Sequence, residues 1–157
     1  MIDWYAALKT LHILGATVLI GTGSGIAFFM LMAHFTRKPA LIAHTAHIVV
    51  IADAVFTATA VVLQPISGVA LAHAVGLPLT TFWIAASLGL YVIVGCLWLP
   101  VVWIQIRLRN IARDAARLGH DLPAEYRRLF RLWFACGLPA FPGVVLILWL
   151  MVARPVL

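Results

Sequence analysis

An apolar run over residues 8–33 constrains this chain more than any other feature. Lys9, at its edge, is its only charged residue. About 20 consecutive apolar residues cross a bilayer as a helix, so the run is read as a membrane span. Three comparable runs follow, over residues 41–69, 80–106 and 132–153. Backbone in lipid must satisfy its own polar groups, so each run is expected to be helical. The short alternating segments of a β-barrel are absent. The expected fold is all-α, a four-transmembrane-helix bundle forming a single integral membrane domain over residues 1–157. Composition agrees, since only 10% of the residues are charged against about a quarter in a soluble domain. The first run is too long for the h-region of a cleaved signal peptide, lacks a strong basic n-region and is followed by no clear cleavage site.

The basic residues set an expected orientation. Arg37 and Lys38 lie between spans one and two. Arg107, Arg109, Arg113, Arg117, Arg127, Arg128 and Arg131 lie in or at the end of the segment 107–131 between spans three and four. The segment 70–79 between spans two and three has no charged residue, and only Lys9 and Arg154 supply positive charge on its side. The positive-inside rule places both basic loops in the cytoplasm and both termini outside. The net charge of +6 is therefore an orientation signal in a bacterial inner (plasma) membrane, and nucleic acid is excluded as a partner. Cys96 and Cys136 fall inside apolar spans, form no CxxC and are expected to be buried small apolar residues.

Within the basic loop, Arg109, Arg113 and Arg117 repeat every four residues, which predicts a helical extension of span three along the anionic leaflet. Gly119 to Pro123 should stop it, and Asp121 is expected to cap a short separate helix from Pro123. Pro65, Pro100, Pro139 and Pro142 lie inside spans. Each removes a backbone donor, so neighbours must satisfy the freed carbonyls, and the fourth helix is expected to bend.

Asp53, near the middle of span two, costs about 2.5–3.5 kcal/mol there on insertion scales and should face the bundle interior. Helical spacing puts Thr57, Gln64 and Gly68 on its face. That stripe reads either as hydrogen-bonding glue between helices or as a device for protons, haem propionates or a quinone. At 100° per residue, His12, Ala16, Leu19, Gly23, Met30 and His34 share one face of span one. Imidazole is a common ligand of haem iron, zinc and copper, and the bare surface around Gly23 would admit a flat macrocycle. The same Gly21 to Gly25 spacing also reads as a close helix-packing motif. His34, His44 and His47 cluster at the basic ends of spans one and two and read as interfacial, His73 lies in or near the opposite loop, and His120 lies in the basic loop. Tyr91, Trp98 and Gln105 recur every seven residues on span three, as packing or as the wall of a cofactor pocket. No HExxH, GxSxG or phosphate loop occurs, which argues against hydrolase and nucleotide chemistry.

The segments from Leu11 to Gly15, Asp53 to Thr57, Leu63 to Gly68, Gly76 to Trp83, Leu97 to Pro100 and Gly137 to Ala140 resemble the bacterial membrane family catalogued as domain of unknown function 2269. The resemblance covers nearly all of the chain. His12 and the step around Pro65 to Gly68 are more distantly similar to the J-type protoporphyrinogen oxidases and the copper-resistance D-type membrane proteins. That likeness implies a four-helix unit associated with haem b or copper, with His12 as the leading haem ligand. The basic residue that the oxidases carry in their later membrane core has no counterpart, since spans three and four hold no Lys or Arg at mid-depth. The implied role is thus a haem-binding scaffold ahead of a haem-dependent oxidoreductase.

Two readings follow. The first is a b-type haem protein passing electrons to or from a quinone or small redox partner. In it His12 is the metal ligand, Gly23, Asp53, Thr57, Gln64 and Trp98 contact the cofactor, and His73 is the candidate second ligand. The second is a non-enzymatic membrane module: a copper or small-solute transport component, or a packing subunit of a homo-oligomer or larger complex. Copper would favour Met and Cys donors, and no Met-rich motif occurs.

Overall fold

The computed structural model describes residues 3–155. Four long helices make up the chain: α1 (Trp4–Phe35), α2 (Pro39–Ala74), α3 (Phe82–Leu118) and α4 (Ala124–Ala153). All four are long and apolar enough to cross a membrane, and no strand occurs among the described residues. The expected four-helix membrane bundle is the observed fold.

Each helix starts and stops for a local reason. Asp3 caps α1, its carboxylate accepting from the backbone N–H groups of Tyr5 and Ala6 at 3.1 and 3.3 Å. The hydroxyl of Thr36 donates to the Ala33 carbonyl at 2.7 Å and closes the last turn of α1. Pro39 opens α2 at a position where its missing N–H costs nothing. Gly119 ends α3 in the left-handed conformation, φ 68°, that favours glycine.

The helices run well beyond the apolar segments. Most of residues 107–131, expected as a basic loop, is helix: α3 continues to Leu118 and α4 starts at Ala124. The extension of span three is present. The separate short helix is not, because residues from Ala124 continue without a break into span four. Asp121 is not its cap either; Pro123 occupies that position and no side chain caps this end. Hydrogen bonding along a helix does not stop where hydropathy does.

Two interruptions in α2 matter. Residues Asp53–Thr57 form a π-helical turn, in which the N–H of Ala58 donates to the Asp53 carbonyl. Such turns insert one residue into the helix and recur at functional sites. One helical segment later, Pro65 lacks the N–H that would bond the carbonyl of Val61. The hydroxyl of Tyr91 on α3 donates to that Val61 carbonyl instead. The expected re-satisfaction of a proline-freed carbonyl is therefore made by a side chain of the neighbouring helix.

Packing is concentrated at one end. Ile26, Met30 and Ala33 of α1 meet Ile42, Ala46 and Val49 of α2, Ile104, Leu108 and Ala112 of α3, and Tyr126, Phe130 and Trp133 of α4. This is the basic end. Nothing between Ser87 and Ile104 on α3, or between Trp133 and Leu150 on α4, is buried. Large side chains there, such as Leu99, Trp103, Leu138 and Phe141, are exposed, as lipid-facing residues should be. Lipid is as apolar as leucine, so helix association rests on van der Waals packing and interhelical hydrogen bonds rather than on apolar burial. The polar contacts between α1, α2 and α3 therefore matter more here than in a soluble bundle.

Candidate functional site

Of the expected stripe on α2, Asp53, Thr57 and Gln64 are buried; Gly68 is half-buried, and Ser67 beside it is inside. The stripe does not, however, form one site. The two interruptions of α2 lie between its ends, and the stripe serves α1 near the terminal end of the bundle and α3 near mid-depth.

The first cluster joins α1 to α2. Nδ1 of His12 lies 2.8 Å from the hydroxyl oxygen of Ser67. That hydroxyl has one proton, and it points at the carbonyl of Leu63, one turn back on α2, at 2.7 Å. With its proton there, Ser67 is an acceptor for an Nδ1–H of His12, the tautomer that leaves the lone pair on Nε2; with its proton turned to Nδ1, the roles reverse. The amide nitrogen of Gln64 donates to the backbone carbonyl of His12 at 2.7 Å, tying the two helices together at the same level. Two glycines make this approach possible. A Cβ on Gly15 would collide with the Gln64 amide, and one on Gly68 would sit 3.1 Å from Cε1 of His12. Gly68 lets the ring lie against the α2 backbone.

The second cluster joins α2 to α3. Fourteen residues separate Asp53 from Ser67, about 21 Å at 1.5 Å per residue. Asp53 is 4% exposed, and one of its carboxylate oxygens accepts from the indole N–H of Trp98 at 3.3 Å. Its second oxygen is buried without a hydrogen bond, as are the hydroxyl of Thr57 and the side-chain carbonyl of Gln105. Asp53, Trp98 and Gln105 border a cavity of about 230 Å³, otherwise lined by aliphatic residues of α2 and α3. Water occupies about 30 Å³ in the liquid, so the space suits several waters or a small solute, and is below the usual range of about 300–1,000 Å³ for drug-sized ligands.

The expected cofactor set is thus divided. His12 and Gln64 share one cluster; Asp53, Thr57 and Trp98 share the other. Gly23 belongs to neither: it is exposed, and a Cβ there would meet nothing within 4 Å. The contact face of α1 runs through Gly15, Ile26, Met30 and Ala33, displaced from the face predicted from 100° spacing alone. His73 is exposed in the last turn of α2, on a different face from Ser67. His44 and His47 are exposed, as interfacial residues should be. His34 instead stacks on Phe130, ring centroids 3.7 Å apart. Among the described residues no three His, Cys, Asp or Glu side chains come together as a metal group. What the first cluster offers a metal is one imidazole, held through Nδ1 with Nε2 available, the arrangement by which neighbouring groups orient a histidine ligand.

Ser67 is the residue that sequence reasoning missed. Its signal was available, since it lies three residues after Gln64, on the edge of the same stripe. The π-helical turn at Asp53 left no signal in the residues themselves.

The family described as "Predicted integral membrane protein (DUF2269)" matches residues 6–155. No curated protein and no solved structure matches the chain.

Proposed function

The chain belongs to the family of predicted integral membrane proteins DUF2269, and on that premise we propose that it is a b-type haem-binding module of a bacterial inner membrane, its basic end in the cytoplasm. One observation carries the reading: His12 is oriented through Nδ1 by Ser67 and laid on Gly68, with its second nitrogen left for a ligand. Haem, when bound, supplies one-electron redox chemistry. The chain's own part is to orient the imidazole through Ser67 and to hold α1 against α2 through Gln64. A quinone or a small redox protein would be the electron partner. The test is the visible spectrum of the protein purified from haem-replete cells, oxidised and then reduced with dithionite. A sharp Soret band that shifts on reduction is expected. A colourless preparation would remove the reading.

A second reading is favoured by the second cluster. An ionisable residue buried at membrane depth is the usual mark of a proton or solute path, and Asp53 borders a cavity with one oxygen unpaired. In this reading the protein is a transport component, and Asp53 takes up and gives back a proton. Asp53→Asn keeps an oxygen for Trp98 but cannot ionise. It should abolish pH-driven proton or solute flux into proteoliposomes, while His12→Ala leaves that flux intact. Equal flux for Asp53→Asn and the unaltered protein would end this reading.

A further inference from the structure

The basic end of the bundle holds a larger cavity, about 750 Å³, between the end of α1 and the start of α4. Arg37, Arg127 and Arg131 border it with a single carboxylate, Asp121. Among the described residues the ion pairs are Arg107 with Glu125 and Arg117 with Asp114; none of the three bordering arginines has a carboxylate partner. All three arginines are exposed, and the side chain of one of them is held. Arg127 donates to the Leu122 carbonyl at 3.0 Å. Arg37 sits in the left-handed region, φ 55°, where glycine would be unstrained. The wall behind them is aromatic: His34 stacks on Phe130 with planes 6° apart, and Tyr126 lies beside both.

Three guanidiniums gathered on one space with only one carboxylate among them repel one another, and a bound anion removes that repulsion. Guanidinium matches phosphate through paired N–H donors. The cavity lies where two spans leave the membrane, at the end that positive charge marks as facing the anionic leaflet. Leu122 and Phe130 give it an apolar side next to the polar one, which a lipid fills and an inorganic ion does not. We propose that this pocket binds a phosphate-bearing anion, and that its source is the headgroup of an anionic phospholipid of the adjoining leaflet. This site is separate from both clusters in the span interiors.

The test uses the full chain in mild detergent, with thermal unfolding followed as phosphatidylglycerol, phosphatidylcholine or inorganic phosphate is added. Phosphatidylglycerol should stabilise the protein at concentrations where phosphatidylcholine does not. Arg37→Gln with Arg131→Gln should weaken that effect by about fivefold per guanidinium lost. Arg109→Gln with Arg113→Gln, which removes the same charge from α3, should leave it unchanged. Asp121→Asn should tighten binding, a gain that a folding defect cannot imitate. Stabilisation by inorganic phosphate alone would overturn the lipid source. Equal losses from the two double variants would overturn the pocket, leaving only diffuse attraction to charge.

Discussion

Replacing His12 by alanine is expected to abolish the Soret band while the protein still folds and is recovered from the membrane at a similar level. The structural cost is small. Ser67 loses its hydrogen bond with the imidazole but keeps its own bond to the Leu63 carbonyl, and side-chain hydrogen bonds between membrane helices average about 0.6 kcal/mol. On the haem reading the spectroscopic cost is total, because His73, the other histidine toward that end, is exposed on a different face of α2 from Ser67. Two milder variants separate the imidazole's presence from its placement. Ser67→Ala frees the ring to rotate, and loss of an orienting partner typically weakens ligand binding by about 10–100-fold. Gly68→Val pushes methyl groups into a space where a Cβ alone would already lie 3.1 Å from the ring, so the imidazole must move and the band should shift or fade. A His12→Ala protein with an unchanged spectrum would show that any haem is held elsewhere.

Removing the hydroxyl of Tyr91 should be the largest purely structural defect among single-atom changes. Tyr91→Phe leaves the Val61 carbonyl without a donor in a hydrocarbon environment, because Pro65 has no N–H to give it. An unsatisfied buried carbonyl costs about 1–3 kcal/mol, and lipid offers no water to replace the lost donor. The companion change decides whether this is the cause. Pro65→Ala restores an N–H one turn after Val61, so the helix can satisfy its own carbonyl. In that background Tyr91→Phe should cost little. Unfolding of the four proteins in detergent, compared as a double-mutant cycle, measures the coupling. Additive effects would mean that Tyr91 acts only by packing.

The span count, the helical class and the clustering of basic residues at one end were legible in the chain, because hydropathy and charge are sums over many residues that no single contact can reverse. The buried stripe of Asp53, Thr57 and Gln64 was legible for the same reason: polar groups in a membrane must turn inward, and helical spacing says which ones turn together. Pro65 announced a carbonyl in need of a donor. Spacing could not say that Tyr91 would provide it, because that depends on the level at which α3 lies against α2.

What only the tertiary structure decided was which neighbour each polar residue meets. The face of a helix is fixed by its own sequence, but its register against the next helix is fixed by small residues that permit approach. Gly15 and Gly68 bring Gln64 and Ser67 to His12, while Asp53 is left to Trp98 on the other side of α2. A π-helical turn between them adds a residue to the helix, shifting faces that a uniform 100° step had aligned. One expected site became two, and on α1 the contact face runs through Gly15, Ile26, Met30 and Ala33, leaving Gly23 without a neighbour. The pocket at the basic end has the same origin: its arginines lie about ninety positions apart in the chain, at the ends of α1 and α4, and only the antiparallel packing of those helices brings them together.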